Sequence, residues 1–154
     1  MTSRLWPVML MLVVLVGCQT TPRGGGAQQF ADEYRQALSQ GQYDVLYSLL
    51  GSESKMRLSN ELERLRLLPT ERQRAFAAAL GDPPLGDLQA MTDQQFFARI
   101  WYQAVREKPI TVVLQNAGAK NATIVLVTDD GGNQPLDIFV ERERWVWRLP
   151  WGGS

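Results

Sequence analysis

Apolar residues in this chain change their spacing once, at Pro109, and that change decides the fold class. Before it they recur every three or four positions, the period of a helix with one buried face. After it they alternate, as Ile110, Val112 and Leu114 do in ITVVLQN, which is the period of a strand. Helices come first and strands follow, so the expected architecture is α+β, with N-terminal helices packed on one face of a C-terminal antiparallel meander of about four strands.

The helical half divides at its glycines and prolines. AQQFADEYRQALSQG places Phe30, Ala31, Tyr34, Ala37 and Leu38 on one face and stops at Gly41. YDVLYSLLG puts Tyr43, Leu46, Tyr47 and Leu50 on one side, with Gly51 as its stop. The third helix runs from Ser52 to Leu68 on a stripe of Leu58, Leu62 and Leu65, which Met56 or Leu68 extends, and Pro69 breaks it. Thr70 to Gln73 has the spacing of a capping box and opens a fourth helix that ends at Gly81. GDPPLGD reads as a loop by composition. Thr92 and Gln95 repeat the capping-box spacing ahead of a fifth helix, whose wide apolar face is Phe96, Phe97, Ile100, Trp101, Ala104 and Val105. The strands are ITVVLQN, ATIVLVTDDGGN, QPLDIFVE and RWVWRLPW, and their short connections imply antiparallel pairing.

Ahead of this body lies a leader. Arg4 is followed by LWPVMLMLVVLV, about a dozen almost wholly apolar residues, where a spanning helix needs about 20. That is the pattern of a secretory signal peptide. It ends in LVGC, Leu15 to Cys18, which holds the only cysteine of the chain and resembles the lipobox of bacterial lipoproteins. The resemblance implies cleavage between Gly17 and Cys18, a diacylglyceryl thioether on the Cys18 sulfur and acylation of the new amine. Two or three chains on one residue hold a bilayer far more firmly than a single myristoyl group, since each buried methylene contributes about 0.8 kcal/mol. In double-membraned bacteria an aspartate after the lipidated cysteine retains a lipoprotein at the inner membrane. This chain has Gln19 there, so the resemblance implies an outer-membrane anchor facing the periplasm. QTTPRGGGA then reads as a tether of a few nanometres. The expected organisation is residues 1–17 as signal peptide, 18–27 as lipidated cysteine and tether, and 28–154 as a single domain.

Two stretches carry a second resemblance, FADEYRQALSQGQYDVLYSLLG at the start of the domain and LDIFVERERWVWRLPW at its end. Their layout is similar to the opening helix pair and closing hairpin of small envelope lipoproteins with an NTF2-like, or cystatin-like, fold. The closing turn, Glu141 to Arg144, departs from the usual Asp-Gly or Asn-Gly. The resemblance implies a curved sheet around a helix layer, with a cone-shaped pocket between them.

Within that frame Tyr34, Tyr47, Trp101 and Tyr102 are the residues to line a pocket, or else to fill the core as large aromatics. Asp137 interrupts an apolar strand. Relatives of the ketosteroid-isomerase kind use a buried aspartate base there, but strand alternation turns Asp137 to water, opposite Leu136 and Ile138. Trp145, Trp147 and Trp151 form a partner or headgroup surface, or pack inward with the arginines solvated. TDDGGN is a turn and lacks the further oxygen ligands of a calcium loop.

The chain has no histidine, which removes the commonest zinc ligand and the usual Ser-His and Cys-His pairs. Its 16 basic and 16 acidic residues cancel, so it has no general field to hold nucleic acid. The expected function is a non-catalytic binding or interaction module anchored in the envelope. Its partners are the membrane, through the acyl chains, and an envelope protein or a small apolar ligand; no cofactor is expected. An isomerase or dehydratase in the same cone, and a structural envelope component, are the alternatives.

Overall fold

The computed structural model describes residues 25–105 and 109–150. Gly17, Cys18 and Trp151 lie outside the described residues. Six helices precede a four-stranded sheet: α1 (Ala27–Ser39), α2 (Tyr43–Ser48), α3 (Ser52–Arg66), α4 (Thr70–Ala79), α5 (Leu85–Ala90), α6 (Asp93–Val105), β1 (Ile110–Ala117), β2 (Asn121–Thr128), β3 (Asn133–Glu141) and β4 (Arg144–Trp147). The strands pair antiparallel in sequence order. The α+β meander expected from the change of period is therefore the fold. No helix among the described residues is long and apolar enough to cross a membrane.

The expected stripes are buried for the most part, although Ala104 of α6 is exposed and Ile100 and Val105 are half-buried. Phe30, Ala31, Tyr34 and Ala37 of α1 are buried, as are Leu58, Leu62 and Leu65 of α3 and Phe96, Phe97 and Trp101 of α6. Met56 is instead 60 % exposed and does not extend the α3 stripe. Gly41 and Gly81 take the left-handed conformation expected of helix stops. Strand alternation is equally clear. Val112, Ile124, Leu126, Leu136, Ile138 and Trp147 point to the helices, and cross-strand register puts Ile124 opposite Leu136 and Ile138 opposite Trp147.

Three local expectations are corrected. GDPPLGD is not only a loop, because Leu85 begins α5 and Leu88 is fully buried. Thr92 and Gln95 exchange both bonds of a capping box, but Thr70 and Gln73 do not. Gln73 turns inward and donates its amide to the carbonyls of Arg66 and Leu68, 2.9 and 2.8 Å away. It thus satisfies open acceptors at the end of α3, not donors at the start of α4. Gly51 is not the stop of α2, which already ends at Ser48. Its backbone is extended, and a Cβ there would sit 3.0 Å from the Phe139 ring.

That close approach matters for the sheet edge. Trp147 N–H donates to Leu49 O at 3.0 Å, and Gly51 N–H donates to Trp147 O at 2.9 Å. Residues 49–51 so run parallel beside β4 and cover an edge that would otherwise template aggregation. At the opposite edge, the Arg35 guanidinium of α1 donates twice to Val112 O of β1, at 2.8 and 3.2 Å. The turn from β3 to β4 places two non-glycine residues, Arg142 and Glu143, at φ 49° and 64°, the left-handed pair that a two-residue hairpin of type I′ requires.

Candidate functional site

Trp147 stands where the cone-shaped pocket is expected. Its ring meets Tyr34 edge-on at 5.2 Å, Trp101 at 5.2 Å and Phe97 at 6.0 Å. Phe97 in turn stacks on Trp101 at 5.9 Å and meets Tyr47 at 5.7 Å. The indole N–H of Trp147 donates to Leu46 O at 2.9 Å, which ties β4 to α2. Rings from α1, α2, α6 and β4 therefore interlock between the helices and the sheet. The sequence candidates Tyr34, Tyr47, Trp101 and Trp147 are brought together here, but as packing.

The buried polar tips agree with that role. Tyr34 is fully buried and its hydroxyl has no hydrogen-bond partner, as is also true of the indole nitrogens of Trp101 and Trp145. Burial pushes the Tyr34 phenol well above its usual value, so it stays neutral at physiological pH. Tyr47 is half-buried and carries the Lys55 ammonium 5.3 Å above its ring, within cation–π range. The same ammonium donates to Ser48 O at the C-terminal end of α2. Burial, and then the Arg144 charge, lower the Lys55 pKa, while Glu141 opposes them. Trp145 and Trp147 are both buried on the core side, the inward-packed one of the two arrangements that the sequence leaves open.

Asp137 lies on the other side of the sheet. It is exposed between buried Leu136 and Ile138, as strand alternation dictates. It borders an open concavity of about 680 Å³ with Asn116, Asn121, Thr123, Phe139 and Arg148. The Arg148 guanidinium lies 5.0 Å from the Phe139 ring centre and 3.9 Å from Glu53. The sheet separates Asp137 from the Tyr34 hydroxyl, so the aspartate–tyrosine pair of an isomerase is not assembled from these residues. TDDGGN closes as a turn in which Gly131 N–H donates to Thr128 O at 2.9 Å and Thr128 N–H to Gly132 O at 2.9 Å. Among the described residues no cluster of three or more acidic, cysteine or histidine side chains stands ready for a metal.

Tyr102 belongs to a third place. It is 49 % exposed and meets Tyr43 of α2 edge-on at 6.3 Å. The two phenols border a groove of about 640 Å³ between α6 and the end of α4, which Arg99, Gln103, Leu80 and Gly81 also line. Burial raises the Tyr43 pKa, with a smaller push from Tyr102. Sequence reasoning does not single out Arg99, Gln103 or Tyr43 as site residues. Arg99 and Gln103 share a helix face at i, i+4 spacing, but nothing local signals that Tyr43 and Gly81 stand opposite. No family model matches the chain, and neither the curated proteins nor the solved structures contain a match to it.

Proposed function

We propose that this chain is a lipid-anchored envelope protein of NTF2-like type that acts as a non-catalytic binding module. The observation that carries the reading is LVGC, with a small residue at Gly17 and the single thiol at Cys18 after a short apolar run, followed by a glycine-rich tether. The expected topology has Cys18 in the periplasmic face of the outer membrane and the α+β body beside it. Binding rather than catalysis is favoured by the placement of the polar groups. The core is filled by Trp147 and its neighbours, and Asp137 faces water behind the sheet. The concavities that remain are on the surface, where a ligand or partner is held without being sealed from solvent.

Membrane fractionation of the full-length protein and its Cys18→Ala variant in a double-membraned host tests the anchor. The wild type is expected with the outer membrane, and the variant as an unprocessed precursor or free of that membrane. A variant that is still processed and still sediments with the outer membrane overturns the reading.

A further inference from the structure

Among the described residues, the groove beside α6 holds a cation with no ion-pair partner. Arg99 is half-buried, and no described residue gives it an ion pair or a hydrogen bond. A guanidinium keeps its charge at any physiological pH. Withdrawing it partly from water without a partner is unfavourable. Other arginines of the helical half differ. Arg35, Arg57, Arg64 and Arg66 each pair with a carboxylate one helical turn away, and Arg72 and Arg74 are exposed to water. Arg99 has Gln95 and Gln103 at i−4 and i+4, neither of which can neutralise it, and Asp87, which borders an adjoining concavity with Arg99, makes no ion pair with it.

The surroundings of Arg99 specify more than an anion. Leu80 and Gly81 line the groove opposite Arg99 and Gln103 of α6, and Tyr43 and Tyr102 border it. A Cβ on Gly81 would come within 2.7 Å of the Gln103 amide nitrogen, so glycine leaves the room in which that amide sits. The Tyr43 and Tyr102 rings present flat apolar surface, while the Gln103 amide and the Tyr hydroxyls supply donors. We propose that this groove binds a carboxylate borne on a small apolar body, with Arg99 gripping the carboxylate in a fork and Tyr43 and Tyr102 holding the apolar part. Fork-shaped pairing of arginine with a carboxylate fixes both position and orientation. The groove volume is in the range that takes a dipeptide-sized ligand. The inference rests on the reading of the chain as a binding module and names the ligand class of that module.

Titration calorimetry with the full chain in detergent micelles tests it. The probes are N-acetyl-leucyl-phenylalanine, its C-terminal amide and inorganic phosphate. Saturable binding of the free acid is expected, with the amide and phosphate each at least about tenfold weaker. Arg99→Gln is expected to lower affinity for the acid by at least about tenfold. Tyr102→Ala, at an exposed position, is expected to weaken it without altering the melting temperature. Absence of binding, equal binding of acid and amide, equal binding of phosphate, or unchanged affinity in both variants overturns the proposal. The Cys18→Ala fractionation leaves the groove intact, so failure of the anchor and failure of the ligand assignment are separately visible.

Discussion

The Glu141 carboxylate, at the end of β3, caps α3 through Ser52. It accepts the Ser52 hydroxyl at 2.5 Å and the Ser52 backbone N–H at 3.0 Å, although 89 positions separate the two residues. An acceptor at this helix start is normally a side chain of the residue just before it, and here that residue is Gly51. The sheet supplies what the local sequence does not.

The Ser52 hydroxyl, the Ser52 N–H and the nearby Arg142 and Lys55 charges hold Glu141 below the usual carboxylate range, against a smaller opposing effect of burial. A depressed pKa means stability that is present above the unfolded value and lost as pH falls through the folded one. The site is near the surface, so solvent screening keeps its contribution to about 0.5 kcal/mol. Thermal melts from pH 7 to pH 3 should show Glu141→Gln less stable at neutral pH, with the gap from wild type closing below about pH 4. A gap independent of pH contradicts the cap.

Trp147 joins four elements, and truncating it leaves a large void. Trp147→Ala should cost about 3–5 kcal/mol in urea unfolding. Tyr34→Phe should do the reverse of most core substitutions. The hydroxyl it removes is buried without a partner, so the variant should equal wild type or exceed it by up to about 1 kcal/mol. A clear loss of stability on Tyr34→Phe would mean that the hydroxyl is satisfied within the folded protein.

The β3–β4 hairpin holds Arg142 and Glu143 at positive φ, which costs a side-chain-bearing residue roughly 1–2 kcal/mol. Replacing the pair by Asn-Gly relieves that strain, offset in part by the chain entropy of the new glycine and by removal of the two charged side chains. A net gain of about 0.5–1 kcal/mol is expected from chemical denaturation. A loss would show that the native side chains outweigh their backbone strain.

Gly51 is required by crowding. A methyl group there would stand 3.0 Å from the Phe139 ring and 3.4 Å from Val146, where little can shift because Val146 is buried. Gly51→Ala should destabilise by about 1–3 kcal/mol, and Phe139→Leu should recover part of that loss in the double variant. Purely additive effects in the double-mutant cycle would refute the contact.

These residues also mark how far the sequence can be read. Period alone identifies the stripes of α1, α3 and α6 and the alternation of the strands, because burial of one face imposes those spacings. The Thr92–Gln95 box is legible because both bonds are local. The equally spaced Thr70–Gln73 pair misleads, since three-dimensional neighbours at Arg66 and Leu68 outcompete the helix start for the Gln73 amide. Short α5 is hidden by the prolines before it. The edge cover of β4 by residues 49–51 and the groove around Arg99 are illegible for one reason. Each joins segments far apart in the chain, and neither composition nor period records such meetings.

The anchor is tested most directly by mass spectrometry of the mature N-terminal peptide from native membranes. The expected product is a chain that begins at Cys18 with a diacylglyceryl group on sulfur. A free Cys18 thiol, or a chain that keeps Met1 to Gly17, contradicts it.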